Sequence, residues 1–411
     1  MTPTILFVGG GTEIVPAVKR AMDLGCRVLV ADRDPNAPGC RVADGVLKAS
    51  AYHPDEVRRA ALAHVAAGNA IDAVLALATD CPNSVAAVAE ALELPGPSVA
   101  VGERAVDKLA MKNKFAADGV AQPWFIEIRD LFALRRHVAA MGFPVVLKPA
   151  DSRGARGVLR LTGGEDLAWA FRFAMGFSPS RRLVLERFVD GPQISTESLV
   201  VDGVAHTPGF SDRNYELIEA YAPHIIENGG DLPSFLPAPI QDKVRTLVDR
   251  AAASLGVRNG VVKGDIVVRE GEPMVIEMAA RLSGGYFCSH EIPLNTGVDF
   301  VGAAIRQALG ETIDPAELAP RFQRHVSQRY LFPHPGQILA IDGARGIPAL
   351  PGVSFFSLRC KVGDVIGPID CHPARGGVVI ATGADRETAQ ANARRAIDAV
   401  EITTTAVVAA E

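Results

Sequence analysis

Asp265 and Glu277 are the two residues whose type and spacing best fit chemistry. They lie in the stretch GVVKGDIVVREGEPMVIEMAARLSGG, residues 260–285, where two short apolar runs, 265–268 and 274–278, flank Arg269-Glu-Gly-Glu-Pro273. Glycine and proline between two apolar runs predict a tight turn joining two strands, so each arm of a hairpin carries one acid. Opposed residues in an antiparallel pair have Cβ atoms about 4.5–5.5 Å apart, and two carboxylates that close repel unless a cation lies between them. Mg²⁺ takes carboxylate oxygens and completes its shell with water and substrate phosphate. The plain alternative is an exposed hairpin with solvated acids. Arg281, Ser283, Gly284 and Gly285 follow directly and add a cation and a flexible backbone.

Lys148 is the second chemical signal, because it sits inside the apolar run 145–149, where burial penalises an ammonium that meets no anion. A glycine-rich segment, 151–157, follows it with Ser152, Arg153, Gly154, Arg156 and Gly157, and residues 158–161 form the next strand. Backbone N–H groups of such a loop can turn toward phosphate, with the arginines adding charge. The spacing is not that of a P-loop, G-x-x-x-x-G-K-[ST] leading into a helix. A surface hairpin with solvated arginines is the competing account, and it leaves Lys148 unexplained.

Lys108 and Lys112 open a helix over 107–117, and residues 131–141 form another. Residues 183–189 read as a strand interrupted by Glu186. In the strand 193–201, alternation puts Ser195, Glu197 and Leu199 on one face and Ile194, Thr196 and Ser198 on the other. The polar stretch 211–224 reads as a loop near substrate or solvent, and 240–255 as a helix. The first hundred residues run strand, Gly9-Gly10-Gly11, helix, then a strand ending at Asp32, which predicts an open α/β domain. The glycines lack G-x-G-x-x-G spacing, and Glu13 would put negative charge near a pyrophosphate, so a nicotinamide site is disfavoured. Thr79, Asp80, Cys81 and Asn83 cluster at a strand's C-terminal end, where such sheets bind ligands.

The 411 residues suffice for two or three domains, and an apolar share of 48% can fill their cores. A net charge of -5 without a basic block argues against nucleic acid. Six cysteines without CxxC, no positive n-region and no long apolar span lead us to expect a soluble cytoplasmic protein that meets no membrane.

Taken in order, these features resemble the ATP-grasp superfamily of carboxylate–amine ligases, in particular bacterial L-amino acid ligases and biotin carboxylase-like enzymes. The resemblance covers nearly the whole chain. It implies mixed α/β and α+β architecture: an N-terminal open α/β (Rossmann-like) domain over 1–104, an ATP-grasp domain over 105–320 with a mobile lobe at about 115–185, and a small β-rich C-terminal domain over 321–411. It further implies that Lys108 and Lys148 bind phosphates, that Ser152, Arg153, Gly154 and Gly157 belong to a mobile loop over them, and that Glu186, Phe188 and Val189 meet adenine. Gln193 stands where the family has an acid for the ribose. Asp265 and Glu277 match its paired Mg²⁺ ligands, Arg281 is placed to stabilise an acyl phosphate, and Ser283 and Gly284 to help hold the acceptor. ATP and Mg²⁺, with Mn²⁺ as a substitute, are the implied cofactors, and homodimerisation is common in the family.

Three departures stand out. The family commonly has Glu where this chain has Asp265; its Glu-x-Asn motif is here Glu277-Met278-Ala279; and Lys263 replaces a frequent His, projecting from the same strand face as Asp265. Residues 325–332 open a last unit with strands over 337–341, 353–358 and 378–382 and a helix over 386–400; Arg375 stands at the head of a strand. His290, His325, His334 and His372 lack the spacing of a metal site. The expected reaction joins a carboxylate and an amine, both from amino acids, with release of ADP and phosphate. The alternatives are an ATP-dependent carboxylase or formyl-transfer ligase acting on a purine precursor, a nucleotide-binding subunit without turnover, and a redox enzyme.

Overall fold

The computed structural model describes residues 2–405. The described residues fall into two compact units that interleave along the chain: residues 2–122, 193–210 and 236–322 form the first, and residues 123–192, 211–235 and 323–405 the second.

The chain begins with strands Thr4–Val8 (β1), Arg27–Asp32 (β2), Gly45–Lys48 (β3) and Ala73–Leu75 (β4), in the parallel order β3-β2-β1-β4. β1 is buried along its whole length, as the continuous apolar run TILFV requires of a strand covered on both faces. The helices Val15–Asp23 and Pro54–Ala66 lie in the crossovers and Pro82–Ala91 follows β4, each with proline in its first turn, where the missing N–H costs no helical bond. Asp107 caps Lys108–Ala117 by accepting from the Leu109 and Ala110 N–H groups, which fixes Lys108 at the first helical position.

In the second unit, Phe125–Ile128 (β5), Val145–Pro149 (β6), Leu159–Leu161 (β7) and Leu183–Arg187 (β8) form an antiparallel sheet in the order β5-β8-β6-β7. Helices Leu131–Met141 and Leu167–Gly176 pack Leu134, Val138, Ala170 and Ala174 onto it. β8 ends at Arg187, so Phe188 and Val189 follow the strand instead of extending it.

Gln193–Val201 (β9) is followed by Val204–Arg213 (β10) and Gly230–Leu232 (β11). Ser211, Asp212 and Arg213, expected in a loop over 211–224, belong to β10, with Asp212 and Arg213 paired to Asp231 and Gly230. Buried polar partners explain the miss: Asp212 accepts from Ser234 Oγ at 2.5 Å and the Phe235 N–H at 2.8 Å, bonds that no local pattern announces. The long helix Ala238–Leu255, ended by left-handed Gly256, packs Val244, Leu247, Val248 and Ala251 against Gly260–Arg269 (β12) and Glu272–Ala279 (β13). The hairpin between these strands is tighter than the residue types alone indicated. Only Glu270 and Gly271 turn, at φ +54 and +79, while Arg269 and Pro273 are paired strand residues.

The chain ends with His325–Leu331 (β14), Gly336–Asp342 (β15), Val353–Leu358 (β16), Val365–Ile366 (β17), Gly377–Gly383 (β18) and Glu401–Thr404 (β19). β14, β18 and β16 are antiparallel neighbours under the helix Arg386–Asp398, and β17-β15-β19 forms a small sheet. Among the described residues no helix is long and apolar enough to cross a membrane.

Candidate active site

β12 organises the first unit's site because it pairs with β13 on one side and β9 on the other. Register sets two rows across one face. Asp265 stands between Ser195 and Glu277 in the first row, and Lys263 between Glu197 and Ala279 in the second. The expectation that the two acids oppose each other across a hairpin therefore holds in the backbone pairing. Immediately past Asp265 the register shifts, leaving Ile276 as the extra residue of a β-bulge, a device that re-aims side chains beside it. Gly264 lies between Lys263 and Asp265 on the opposite face, where a Cβ would come within 2.7 Å of Thr196 Oγ1. That close approach keeps β12 tight against β9.

Each acid meets a lysine. Lys108 Nζ lies 3.2 Å from Glu277 Oε1, and Lys263 Nζ donates to Asp265 Oδ1, which also accepts from Ser195 Oγ at 3.2 Å. Both pairs keep partial exposure: 9% and 30% for Lys108 and Glu277, 17% and 19% for Lys263 and Asp265. Two carboxylates that remain reachable are the donor set Mg²⁺ takes when water and phosphate complete its shell. Among the described residues no group of three or more His, Cys, Asp or Glu could hold a metal, so a pair with added oxygens is what this site offers.

Arg281 stands beyond the hairpin, held by both its neighbours and the N-terminal sheet. Its Nε donates to Asp80 Oδ1 at 3.3 Å and Nη1 to Leu282 O at 3.2 Å, while Leu282 forms an isolated bridge with Leu77, just past the end of β4. Burial works against the Arg281 cation, but Asp80, Glu197 and Glu277 outweigh it and raise its pKa. Asp80, read from sequence as part of a strand-end polar cluster, is thus an anchor for Arg281. Glu13 accepts the Gly285 N–H at 2.6 Å, and a Cβ on Gly284 would meet that carboxylate at 2.7 Å. Asp32 accepts from the Gly10 N–H at 2.7 Å, a bond internal to the glycine turn.

Glu197 is the site residue that sequence reasoning passed over. It is fully buried, and Oε1 accepts the Ser283 N–H at 3.0 Å. Burial pushes its pKa up to about 7, against the opposing pull of the Ser283 bonds, Arg281 and Lys263. Below the same turn, Cys288 N–H donates to Ser283 Oγ at 3.1 Å and Cys288 Sγ to Ser283 O at 3.2 Å. Period-two alternation had put Glu197 on one face with Ser195; what sits opposite that face was not legible.

The second unit holds the remaining residues except Gln193. The anion expected for Lys148 is Glu186: Nζ to Oε1 is 2.6 Å, with both side chains 4% exposed. The pairing follows from the sheet, since Glu186 lies beside Val146 and reaches diagonally to Lys148. In the glycine-rich loop, Gly154, Ala155 and Gly157 have φ of +63, +60 and +74, and the Gly154 carbonyl accepts the His372 N–H at 3.1 Å. Asp151 anchors the loop by accepting from Ser178 Oγ and the Ser180 N–H, both at 2.8 Å; Ser152 and Arg153 are partly exposed. Arg160 lies over the Phe188 ring at 5.5 Å, and Val189 is buried. Arg375, at the head of a strand where the sequence left both a cleft-facing and a surface position open, is buried: it stacks on Tyr330 at 3.8 Å and donates to Glu227 O at 2.5 Å. Arg329 and Asp231 form a further buried pair at 3.1 Å that the sequence did not signal. Gln193 opens β9 in the first unit, partly exposed and paired with Val267.

Comparison with known proteins identifies two domains in the chain. Residues 105–285 match the family described as ATP-grasp domain, and residues 329–405 match L-amino acid ligase C-terminal domain 2. The chain thus carries an ATP-grasp domain followed by an L-amino acid ligase C-terminal domain. Members of this family form C–N bonds with release of ADP, and ATP and Mg²⁺ are its cofactors. An uncharacterised protein, y4rH, from Sinorhizobium fredii is 28% identical over 323 residues, 77% of this chain and 65% of that one, so the match spans less than two thirds of the relative. A formate-dependent phosphoribosylglycinamide formyltransferase of Burkholderia thailandensis is 27% identical over 95% of this chain and 92% of its own length. The crystal structure of an L-amino acid ligase from Bacillus licheniformis superposes with a TM-score of 0.83 at 21% identity, covering 98% of this chain and 99% of that one. At that identity the superposition establishes the fold.

Proposed function

We propose that this ATP-grasp ligase joins two amino acids, activating the carboxylate of one as an acyl phosphate for attack by the amine of the other. The observation that carries the reading is the face of β9, β12 and β13, where Asp265 and Glu277 oppose each other, each beside a lysine, with Arg281 fixed on Asp80. In the first step a carboxylate oxygen attacks the γ-phosphorus of ATP and the bond to the β-phosphate oxygen breaks, releasing ADP. In the second the amine nitrogen attacks the acyl carbon, phosphate leaves with the electron pair of the C–O bond, and the nitrogen loses a proton to solvent.

Both steps bring anions together, and fixed cations lower that cost. Lys108 and Lys148 are assigned to the phosphates, Ser152, Arg153, Gly154 and Gly157 to the loop over them, and Glu186, Phe188, Val189 and Gln193 to the nucleoside. Asp265 and Glu277 would hold Mg²⁺, which supplies Lewis-acid polarisation of phosphate oxygens when bound. Lys263 and Arg281 face the developing charge, and Ser283 and Gly284 line the acceptor side. The cysteines are all free thiols, in keeping with a cytoplasmic enzyme, and a homodimer is the proposed assembly.

The test is an ADP-release screen with MgATP and pairwise amino acids, followed by the mass of the product. A dipeptide with matching ADP is expected. The similarity to the formyltransferase favours a second reading, formyl transfer to a ribonucleotide amine, so the screen includes formate with phosphoribosylglycinamide and bicarbonate with a purine-precursor amine. Turnover confined to those arms would replace the amino acid reading.

A further inference from the structure

The two rows of the β9-β12-β13 face differ in what they offer a cation. Asp265 and Glu277 supply reachable carboxylates with Ser195 alongside. The second row supplies no oxygen that solvent reaches. Ala279 has none on its side chain, and Glu197 is fully buried, with Oε1 taken by the Ser283 N–H and Oε2 enclosed without a hydrogen-bond partner. Between them stands Lys263, cross-strand neighbour of both, with its ammonium on Asp265.

We propose that Lys263 takes the place of a second divalent ion, so that this site binds a single metal with each ATP. The inference rests on the ATP reading above. Octahedral Mg²⁺ wants oxygen at every position and gives up water reluctantly, so an additional ion would need protein oxygens to hold it. At Ala279 it would find a methyl group, and one strand spacing away, about 4.8 Å, it would meet the backbone that carries a like-charged lysine. A tethered ammonium placed there needs no coordination shell and cannot dissociate. It meets triphosphate oxygens through hydrogen bonds from a point charge. Ala279, which reads as a lost ligand when the hairpin is considered alone, becomes the small residue that leaves room beside Lys263.

The experiment counts bound Mn²⁺ by electron paramagnetic resonance, using the whole protein with β,γ-imido-ATP and no amino acid. One nucleotide-dependent Mn²⁺ per chain is expected; two would overturn the inference. Lys263→Ala should weaken analogue binding about tenfold at low Mn²⁺, with Lys263→Arg close to the parent. The double variant Lys263→Ala, Ala279→Asn removes the cation and restores an oxygen, and should bind a second Mn²⁺. A double variant that melts near the parent temperature and still holds only one would count against the exchange of lysine for metal. No nucleotide-dependent Mn²⁺ at all would sink this inference together with the ATP reading. One Mn²⁺ per chain without any amide product would support the inference while removing the amino acid reading.

Discussion

Lys148 and Lys263 both project from strands toward carboxylates, and their surroundings separate them. Lys148 and Glu186 are 4% exposed each, enclosed in the second unit's sheet. Lys263 and Asp265 keep 17% and 19%, and the adjoining pair Lys108 and Glu277 keeps 9% and 30%. Burial decides the consequence. A closed pair is dearly held, because removing one partner strands a charge where water cannot reach it; an open pair can exchange its partner for a ligand at little cost. A phosphate that reaches Lys148 must share it with Glu186, whereas the acids of the hairpin can take an incoming cation directly.

The contrast is broken most forcefully at its closed end. Lys148→Met should destabilise the protein by about 3–5 kcal/mol, because Glu186 is left buried and uncompensated, while Lys263→Met should change stability by less than about 1 kcal/mol. Denaturant melts of the two variants decide it, and equal losses would erase the distinction. At the open end, Glu277→Gln should cut ADP release about a thousandfold with an unchanged melt, since it weakens charge stabilisation at the reacting phosphates. ADP release at the parent rate would remove Glu277 from the metal site.

Glu197 sharpens the comparison, as a fully buried acid without the close lysine bond that Lys148 gives Glu186. Its pKa is raised from the ordinary 4.5 to about 7, so the folded state prefers the proton. The stability it contributes is complete below 4.5 and is lost as pH climbs through about 7. Glu197→Gln should therefore match the parent at pH 4 and exceed it at pH 8 by up to about 3 kcal/mol, read from melting temperature against pH. Parallel profiles would place the titration elsewhere. The smallest effect is geometric. Gly264→Ala pushes a methyl toward Thr196 Oγ1 and should cost about 1–3 kcal/mol, with metal-dependent nucleotide binding weakened because β12 carries both Lys263 and Asp265.

Much of this site was legible from local pattern. Turn residues between apolar runs located the hairpin, a lysine in an apolar strand demanded an anion, and alternation placed Ser195 and Glu197 on one face of β9. The bulge after Asp265 was not legible, because one residue added to a strand changes no residue type. The burial of Arg375 was not legible for a related reason: its ring partner Tyr330 and its acceptor Glu227 are distant in sequence.

By itself the sequence determined the order of strands and helices, the acids of the hairpin and the cations that answer them, since period, turn chemistry and the cost of burying charge act over a few neighbouring residues. Tertiary structure alone decided which cation meets which acid: Lys148 with Glu186, Lys108 with Glu277, Arg281 with Asp80. Those choices depend on strand register and on how much water each pair keeps, quantities that exist only once segments far apart in the chain are packed together.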